Sequence, residues 1–282
     1  MRISCMVVLY NPDIQVLENI LTYVDYFQHF YIIDNSTQPI DWLESIISKS
    51  NVTYINMHGN QGIASALNAG VKQAVLDKSE VLMTMDQDSR FERFTLEGYI
   101  KQADEILEKD RKVAVIGINY DGYREKTKNK DIEIADEVIT SGMILNLPIM
   151  SIVGNFVEKL FIDYVDYEYC YRVRSRGYRC IILKKYKLQH QIGGMHPIVK
   201  FGINFRNHNE HNAIRQYYMA RNVIYIIKSY PFMAAKWIKN LIKAPIKIIL
   251  VDDDKFNKMN AYFEGIFDGI RGHYGPKTFS GR

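Results

Sequence analysis

Cysteine is scarce in this chain of 282 residues, with only Cys5, Cys170 and Cys180. Three is an odd number and no CxxC spacing occurs, which speaks against a disulfide framework or a cysteine-built zinc site and leaves reduced, buried thiols as the expectation. Two glycine-rich phosphate loops are also missing. No GxGxxG follows the first predicted strand, where Asn11-Pro12 stands instead, and no GxxxxGK[ST] occurs anywhere, so a dinucleotide dehydrogenase and a P-loop NTPase both lose support. Nothing resembles a secretory leader: Met1-Arg2-Ile3-Ser4 runs directly into the strand-like Cys5-Met6-Val7-Val8-Leu9, too short for an h-region and without a small-residue cleavage site, which predicts a cytosolic start. Only Phe232 to Val251 approaches spanning length, and four lysines and a proline within it argue against a lipid-spanning helix, which needs ~20 predominantly apolar residues. Internal repeats and low-complexity tracts are absent.

What is present is a globular chain, 47% apolar, with enough hydrophobic content for a sizeable core. Its charge is divided unevenly. Residues 1–183 carry 19 Lys and Arg against 26 Asp and Glu, a net of −7, whereas residues 184–282 carry 17 against 6, a net of +11. In the basic part the cations are interleaved with aliphatic and aromatic residues, as in Ala234-Ala235-Lys236-Trp237-Ile238-Lys239. That pattern predicts an anionic membrane surface as partner and not nucleic acid, whose binding tails are polar and glycine-rich.

The first part alternates strand and helix. Residues 3–9 form an apolar strand, 13–27 have helical periodicity, and 30–33 form a second strand ending at Asp34-Asn35-Ser36. A helix near 41–48, a strand at 52–55, a helix at 62–76 and a strand at 81–85 continue the rhythm of a mostly parallel sheet. A helix over 95–108 and a strand at 113–117 follow. The charged stretch 121–137 reads as a mobile surface loop; strands near 138–146, a helix near 149–155 and an acidic-aromatic segment at 161–172 complete this region. At the end of the 81–85 strand stand Asp86-Gln87-Asp88. Open α/β sheets place ligands at the carboxyl ends of their strands, where a divalent cation can bridge paired acids to a diphosphate. Alone, such acids more often cap the next helix or face water.

Taken together, Val8-Leu9-Tyr10-Asn11-Pro12, Ile33-Asp34-Asn35-Ser36, Asn60-Gln61-Gly62-Ile63-Ala64 with Ala66-Leu67-Asn68-Ala69-Gly70, Asp86-Gln87-Asp88-Ser89, Thr140-Ser141-Gly142, and Phe161 to Glu168 followed by Arg172 resemble family-two glycosyltransferases in order and spacing. The resemblance covers about residues 3–195 and is closest to bacterial rhamnosyltransferases that build O-antigen and capsular polysaccharides. It implies a GT-A fold, a single Rossmann-like α/β domain over 1–195, with 196–282 as a mainly helical basic region. It also implies inverting, metal-dependent sugar transfer.

Within that resemblance each motif acquires an expected role. Tyr10, Asn11, Asp34 and Asn35 hold the donor's base: a carboxylate at Asp34 accepts the imide N–H of uracil or thymine and the Tyr10 ring packs on its face. The competing reading of Asp34-Asn35-Ser36 is a plain turn. Asn60, Gly62 and Asn68 bring backbone near the donor, or simply pack helix on sheet; Ser141 and Gly142 belong to the donor site as well. Asp88 ligates the cation, Mg²⁺ or Mn²⁺, with Asp86 and Gln87 beside it and Asp86 facing ribose or metal. His190 falls where relatives often place a histidine against metal or diphosphate. Asp166 aligns with the catalytic carboxylate that deprotonates the acceptor hydroxyl. Val165 stands where the family commonly has a further acid, which leaves Asp163 as the alternative base. Glu168, Arg172 and Arg215 are expected at acceptor or phosphate, and the helix Arg215 to Asn222 resembles the post-catalytic helix of rhamnosyltransferases.

The expected donor is dTDP-L-rhamnose and the expected acceptor a lipid-linked glycan at the cytoplasmic face of the bacterial membrane. The alternatives are a UDP-hexose donor, a sugar nucleotidyltransferase, and a non-catalytic glycan-binding scaffold. In the tail, Lys236, Lys239, Lys243 and Lys247 fall on one face of a predicted helix, with Trp237, Ile238, Leu241, Ile242, Ile246, Ile248 and Ile249 around the rest and Pro245 kinking it. An in-plane amphipathic helix on the membrane is expected, or else a helical element packing on the core or on a second subunit in a homodimer.

Overall fold

The first strand is apolar on both faces because it is covered on both. In the computed structural model, which describes residues 1–92, 94–120, 131–190, 198–200, 203–205 and 211–277, with backbone alone at 190, 198–200 and 203–205, β1 (Ile3–Leu9) lies between two parallel neighbours. It is followed by α1 (Ile14–Leu21), β2 (Phe30–Asp34), α2 (Glu44–Ile47), β3 (Val52–Asn56), α3 (Ile63–Leu76) and β4 (Val81–Asp86). β2 and β4 flank β1, and β3 lies outside β2. The chain therefore moves outward from β1 through β2 and β3, then returns to the other side of β1. That reversal is the switch point at which open α/β sheets leave a crevice beyond the strand ends. The register sets Leu9 beside Asp34 and Val8 beside Asp86, so the residues closing these strands share one edge.

Beyond β4 the sheet becomes mixed. The chain continues through β5 (Ser89–Phe91), α4 (Thr95–Lys109), β6 (Val113–Tyr120), β7 (Ile132–Ala135), β8 (Met143–Asn146), α5 (Leu147–Val153), α6 (Val165–Ser175) and β9 (Arg179–His190). The strand order is β3-β2-β1-β4-β8-β6-β9-β5, with β7 also on β9. β8 runs antiparallel to β4 and β6, and β6 runs parallel to β9. Of the stretch expected as a mobile loop, 121–130 lies outside the described residues, but 132–135 is a strand antiparallel to β9. Its pattern is inverted: Glu133 and Ala135 point inward while Ile132 and Ile134 are exposed.

The chain divides into two compact units, Met1–Phe156 with Tyr169–Gln191, and Val157–Glu168 with Ile192–Arg282. The second break lies close to the boundary expected after 195, whereas the segment 157–168 goes with the second unit. That unit contains a hairpin of β10 (Ile198–Lys200) and β11 (Ile203–Phe205) and the helices α7 (Ala213–Ser229), α8 (Ala234–Leu250) and α9 (Lys255–Arg271). α7 and α9 approach closely at two glycines. A Cβ on Gly265 would stand 2.3 Å from the Tyr217 carbonyl oxygen, and one on Gly269 would stand 2.8 Å from that of Arg221. α8 runs through Pro245, and Trp237, expected on its surface, is only 3% exposed and packs on the rings of Tyr164 and Tyr167. Among the described residues no helix is long and apolar enough to cross a membrane.

Candidate active site

At the strand ends of the first unit, hydrogen bonds between loops explain why so many polar residues cluster there. Asn11 adopts a left-handed backbone, φ 44°. Its N–H donates to Ser36 Oγ at 2.9 Å, and its side-chain oxygen accepts from the backbone of Thr37 at 2.9 Å and of Gln38 at 3.2 Å. Asn35 donates to Asn60 Oδ1 at 3.2 Å and accepts from the Gln61 N–H at 2.8 Å, while Asn60 Oδ1 also accepts from the Gly62 N–H at 3.0 Å. Asn11, Asn35, Asn60 and Gly62 (φ 82°) thus tie together the loops after β1, β2 and β3. Asn68 is engaged elsewhere, exchanging two 3.0 Å bonds with the backbone of Phe156.

Asp34 is buried and makes the turn: Oδ1 accepts from the Ser36 N–H at 2.9 Å and Oδ2 from the Tyr54 hydroxyl at 2.7 Å. Burial, followed by this bond to a carboxylate, pushes the Tyr54 hydroxyl up to about 12. Each carboxylate oxygen has more than one acceptor direction, so the turn and a further N–H partner are compatible. Tyr10, in contrast, is 47% exposed.

Asp86 closes β4 and is half-buried, as is Asp88. Gln87 between them is a clamp: its Oε1 accepts from the Tyr10 N–H at 2.8 Å, its Nε2 donates to the Tyr10 carbonyl at 3.3 Å, and its own carbonyl accepts from Asn19 at 3.0 Å. Gln87, expected at the donor, is thereby occupied in holding the two acids against the end of β1. Ser141 supports the same loop from behind, donating to Ser89 Oγ at 2.6 Å. Gly142 (φ 73°) donates to the Thr84 carbonyl at 2.9 Å, and a Cβ there would stand 2.5 Å from Ile118. The β5–β9 ladder pairs Ser89 with His190, which brings the His190 backbone next to the acids; its side chain lies outside the described residues. Among the described residues no group of three or more His, Cys, Asp or Glu side chains is disposed to hold a metal. Asp86 and Asp88 offer oxygen ligands alone, a set that fits a hard cation completing its shell with diphosphate and water oxygens.

The second unit holds the other acids. Phe161, Asp163 and Tyr164 all have left-handed backbones, with φ of 66°, 64° and 62°, a conformation costly for residues with a Cβ. α7 splints this loop. Asn222 Nδ2 lies 3.0, 2.7 and 3.0 Å from the carbonyl oxygens of Leu160, Ile162 and Asp163, and Arg221 donates to the carbonyls of Lys159 at 3.2 Å, Leu160 at 2.9 Å and Gly275 at 2.6 Å. Both side chains are buried. Arg215 reaches both oxygens of Asp163, at 2.6 and 3.4 Å. Asp166, half-buried in the first turn of α6, accepts from the Tyr167 N–H at 2.9 Å.

Two expected contacts with acceptor or phosphate are differently placed. Glu168 is fully buried and accepts from the Tyr230 hydroxyl at 2.5 Å. Arg172, in the first unit, donates to the carbonyls of Val153 at 3.0 Å, Gly154 at 2.8 Å and Asn155 at 2.8 Å, completing the carbonyls that the end of α5 leaves open. The structure thus gathers Tyr10, Asp34, Asp86 and Asp88 on one edge of the first unit, and Asp163, Asp166 and Arg215 in the second. Sequence reasoning missed the roles of Arg221 and Asn222. Their signal was a charged and an amide residue inside the apolar run Ala220 to Tyr225, where only a satisfied polar pair is tolerated.

Residues 14–197 match the family described as Glycosyl transferase family 2. Over 296 aligned positions, 99% of both chains, the sequence is 26% identical to the dTDP-rhamnosyl transferase RfbF of Shigella flexneri. Among solved structures it is similar to S. aureus TarS 1-349 in complex with UDP-GlcNAc (15% identity, TM-score 0.57, covering 97% of this chain and 84% of that one). It is also similar to GalNAc-T7 with UDP, GalNAc and Mn²⁺ (14% identity, TM-score 0.55, 88% of this chain and 58% of that one). These likenesses establish a shared fold.

Proposed function

The chain belongs to glycosyl transferase family 2, and we propose that it moves L-rhamnose from dTDP-L-rhamnose to a hydroxyl of a lipid-linked, cell-surface polysaccharide precursor, with inversion at the anomeric carbon. The observation that carries this reading is end-to-end likeness to a dTDP-rhamnosyl transferase. In it, Asp34 uses a remaining lone pair for the imide N–H of thymine, and the exposed Tyr10 ring packs on the base. Asp86 and Asp88 would hold the cation, Mg²⁺ or Mn²⁺. When bound, the cation neutralises the charge that grows on the leaving diphosphate.

Asp166 is the base in this reading, because accepting a proton at Asp163 would give up its two-point pair with Arg215. The acceptor oxygen forms its bond to the anomeric carbon as its proton passes to Asp166 and the bond from that carbon to the diphosphate oxygen breaks. The enzyme works peripherally at the inner face of the membrane.

The test is a panel of nucleotide-sugars scored for binding, transfer and slow hydrolysis, with and without a chelator. dTDP-L-rhamnose is expected to lead, and chelation to abolish transfer. Preference for a UDP-hexose would overturn the donor; chelator-insensitive transfer would overturn the metal.

A further inference from the structure

α8 sorts its side chains into three sectors. Trp237, Leu241, Ala244 and Ile248 turn into the second unit. Beside them, Ile238, Ile242, Ile246 and Ile249 form an exposed apolar sector, with Ile242 62% exposed. Lys236, Lys239, Lys243 and Lys247 form the third, and no acid occurs among the 17 residues of the helix. α9 carries a second exposed apolar row, Phe256, Phe263, Phe267 and Ile270, with Phe256 77% exposed; spacings of seven, four and three put the row on one face.

The two helices share one seam. Leu241 and Ala244 of α8 pack with Met259 and Ile266 of α9 around Ile248 and Tyr262. At 3.6 residues per turn, each exposed row begins directly beside its own helix's seam residues. Exposed apolar rows of this kind, one on each helix, mark an interaction surface.

We infer that the α8–α9 face docks on an anionic lipid bilayer, lying in the interfacial plane with the isoleucines and phenylalanines among the acyl chains and the lysines level with the phosphates. Charge selects this occupant. A row of lysines on a helix without acids complements an anionic leaflet, whereas a two-fold contact between copies would bring two such rows together. Trp237 takes no part, because it is buried. The inference rests on the second unit's own surface and not on which sugar is transferred.

The test sediments the full chain with vesicles of phosphatidylglycerol and phosphatidylcholine, and with phosphatidylcholine alone. Wild type is expected to bind the anionic vesicles and to be released by high salt. Exchanging the four lysines for glutamate is expected to weaken binding at least ~10²-fold, at about 1 kcal/mol for each basic residue. Phe263→Ser with Phe267→Ser is expected to cost about tenfold or more, and Ile242→Ser serves if that pair fails to fold. Wild type remaining in the supernatant, apolar variants that bind like wild type, or a dimer dissolved by the phenylalanine changes would each overturn the inference. Transfer to a short soluble acceptor should persist in all variants; its absence from wild type would count against the proposed reaction and not against this face.

Discussion

Asp163 and Asp166 stand three residues apart at the start of α6 and differ in what holds them. Asp163 is bound at both oxygens by Arg215, whereas Asp166 Oδ1 accepts the adjacent Tyr167 N–H. Asp166→Asn keeps the shape and removes the base, so kcat should fall by about 10²-fold or more with dTDP affinity unchanged. Asp163→Asn should lower thermal stability more than turnover, since it breaks an ion pair within a strained loop. Calorimetry and steady-state kinetics on both variants decide; a collapse of kcat confined to Asp163→Asn would exchange the roles. Sequence alone left both acids open because spacing shows which acids are near one another and not what each side chain contacts. Asp34 shows the same limit: the turn and the nucleotide readings were both legible, and a side chain with several acceptor directions serves the first without excluding the second.

At the scale of elements, the helix α7 fixes the loop that leads into α6. Asn222 supplies a donor to three carbonyls around two left-handed residues, and an unpaired buried polar group costs about 1–3 kcal/mol. Asn222→Ala should therefore lower the melting temperature. It should also lower kcat by about tenfold or more, because a shift near 1 Å in a reacting group costs up to ~10²-fold, while dTDP affinity holds. Wild-type kcat in a destabilised variant would leave Asn222 a purely structural role. The parallel strands and their helices were readable because inner strands are uniformly apolar and α3 and α4 are periodic. β7 was not, since Glu133 faces inward and two isoleucines outward, against the usual pattern. β9 was equally hidden: Lys184-Lys185-Tyr186-Lys187 interrupts its apolar run.

For the whole molecule, charge is distributed by region, and the basic second unit contains groups whose protonation opposes folding. Burial, with Arg215 nearby, lowers the His211 pKa below its ordinary 6.5, against the opposing pull of Asp163. Burial alone would raise Asp268, but hydrogen bonds from Tyr217 and Lys277 outweigh it and hold its carboxyl below the ordinary 3.8. In both cases the unfolded chain binds a proton more readily than the folded one, so stability rises with pH through the window between the two values and is lost as pH falls. The windows differ. His211 acts from about pH 6.5 downward and Asp268 only below about pH 4, so acid unfolding should weaken the protein in two stages. Denaturant titrations from neutral to acid pH should show His211→Gln flattening the upper stage and Asp268→Asn the lower. If His211→Gln leaves the upper stage unchanged, the neutral imidazole is not what the folded second unit protects.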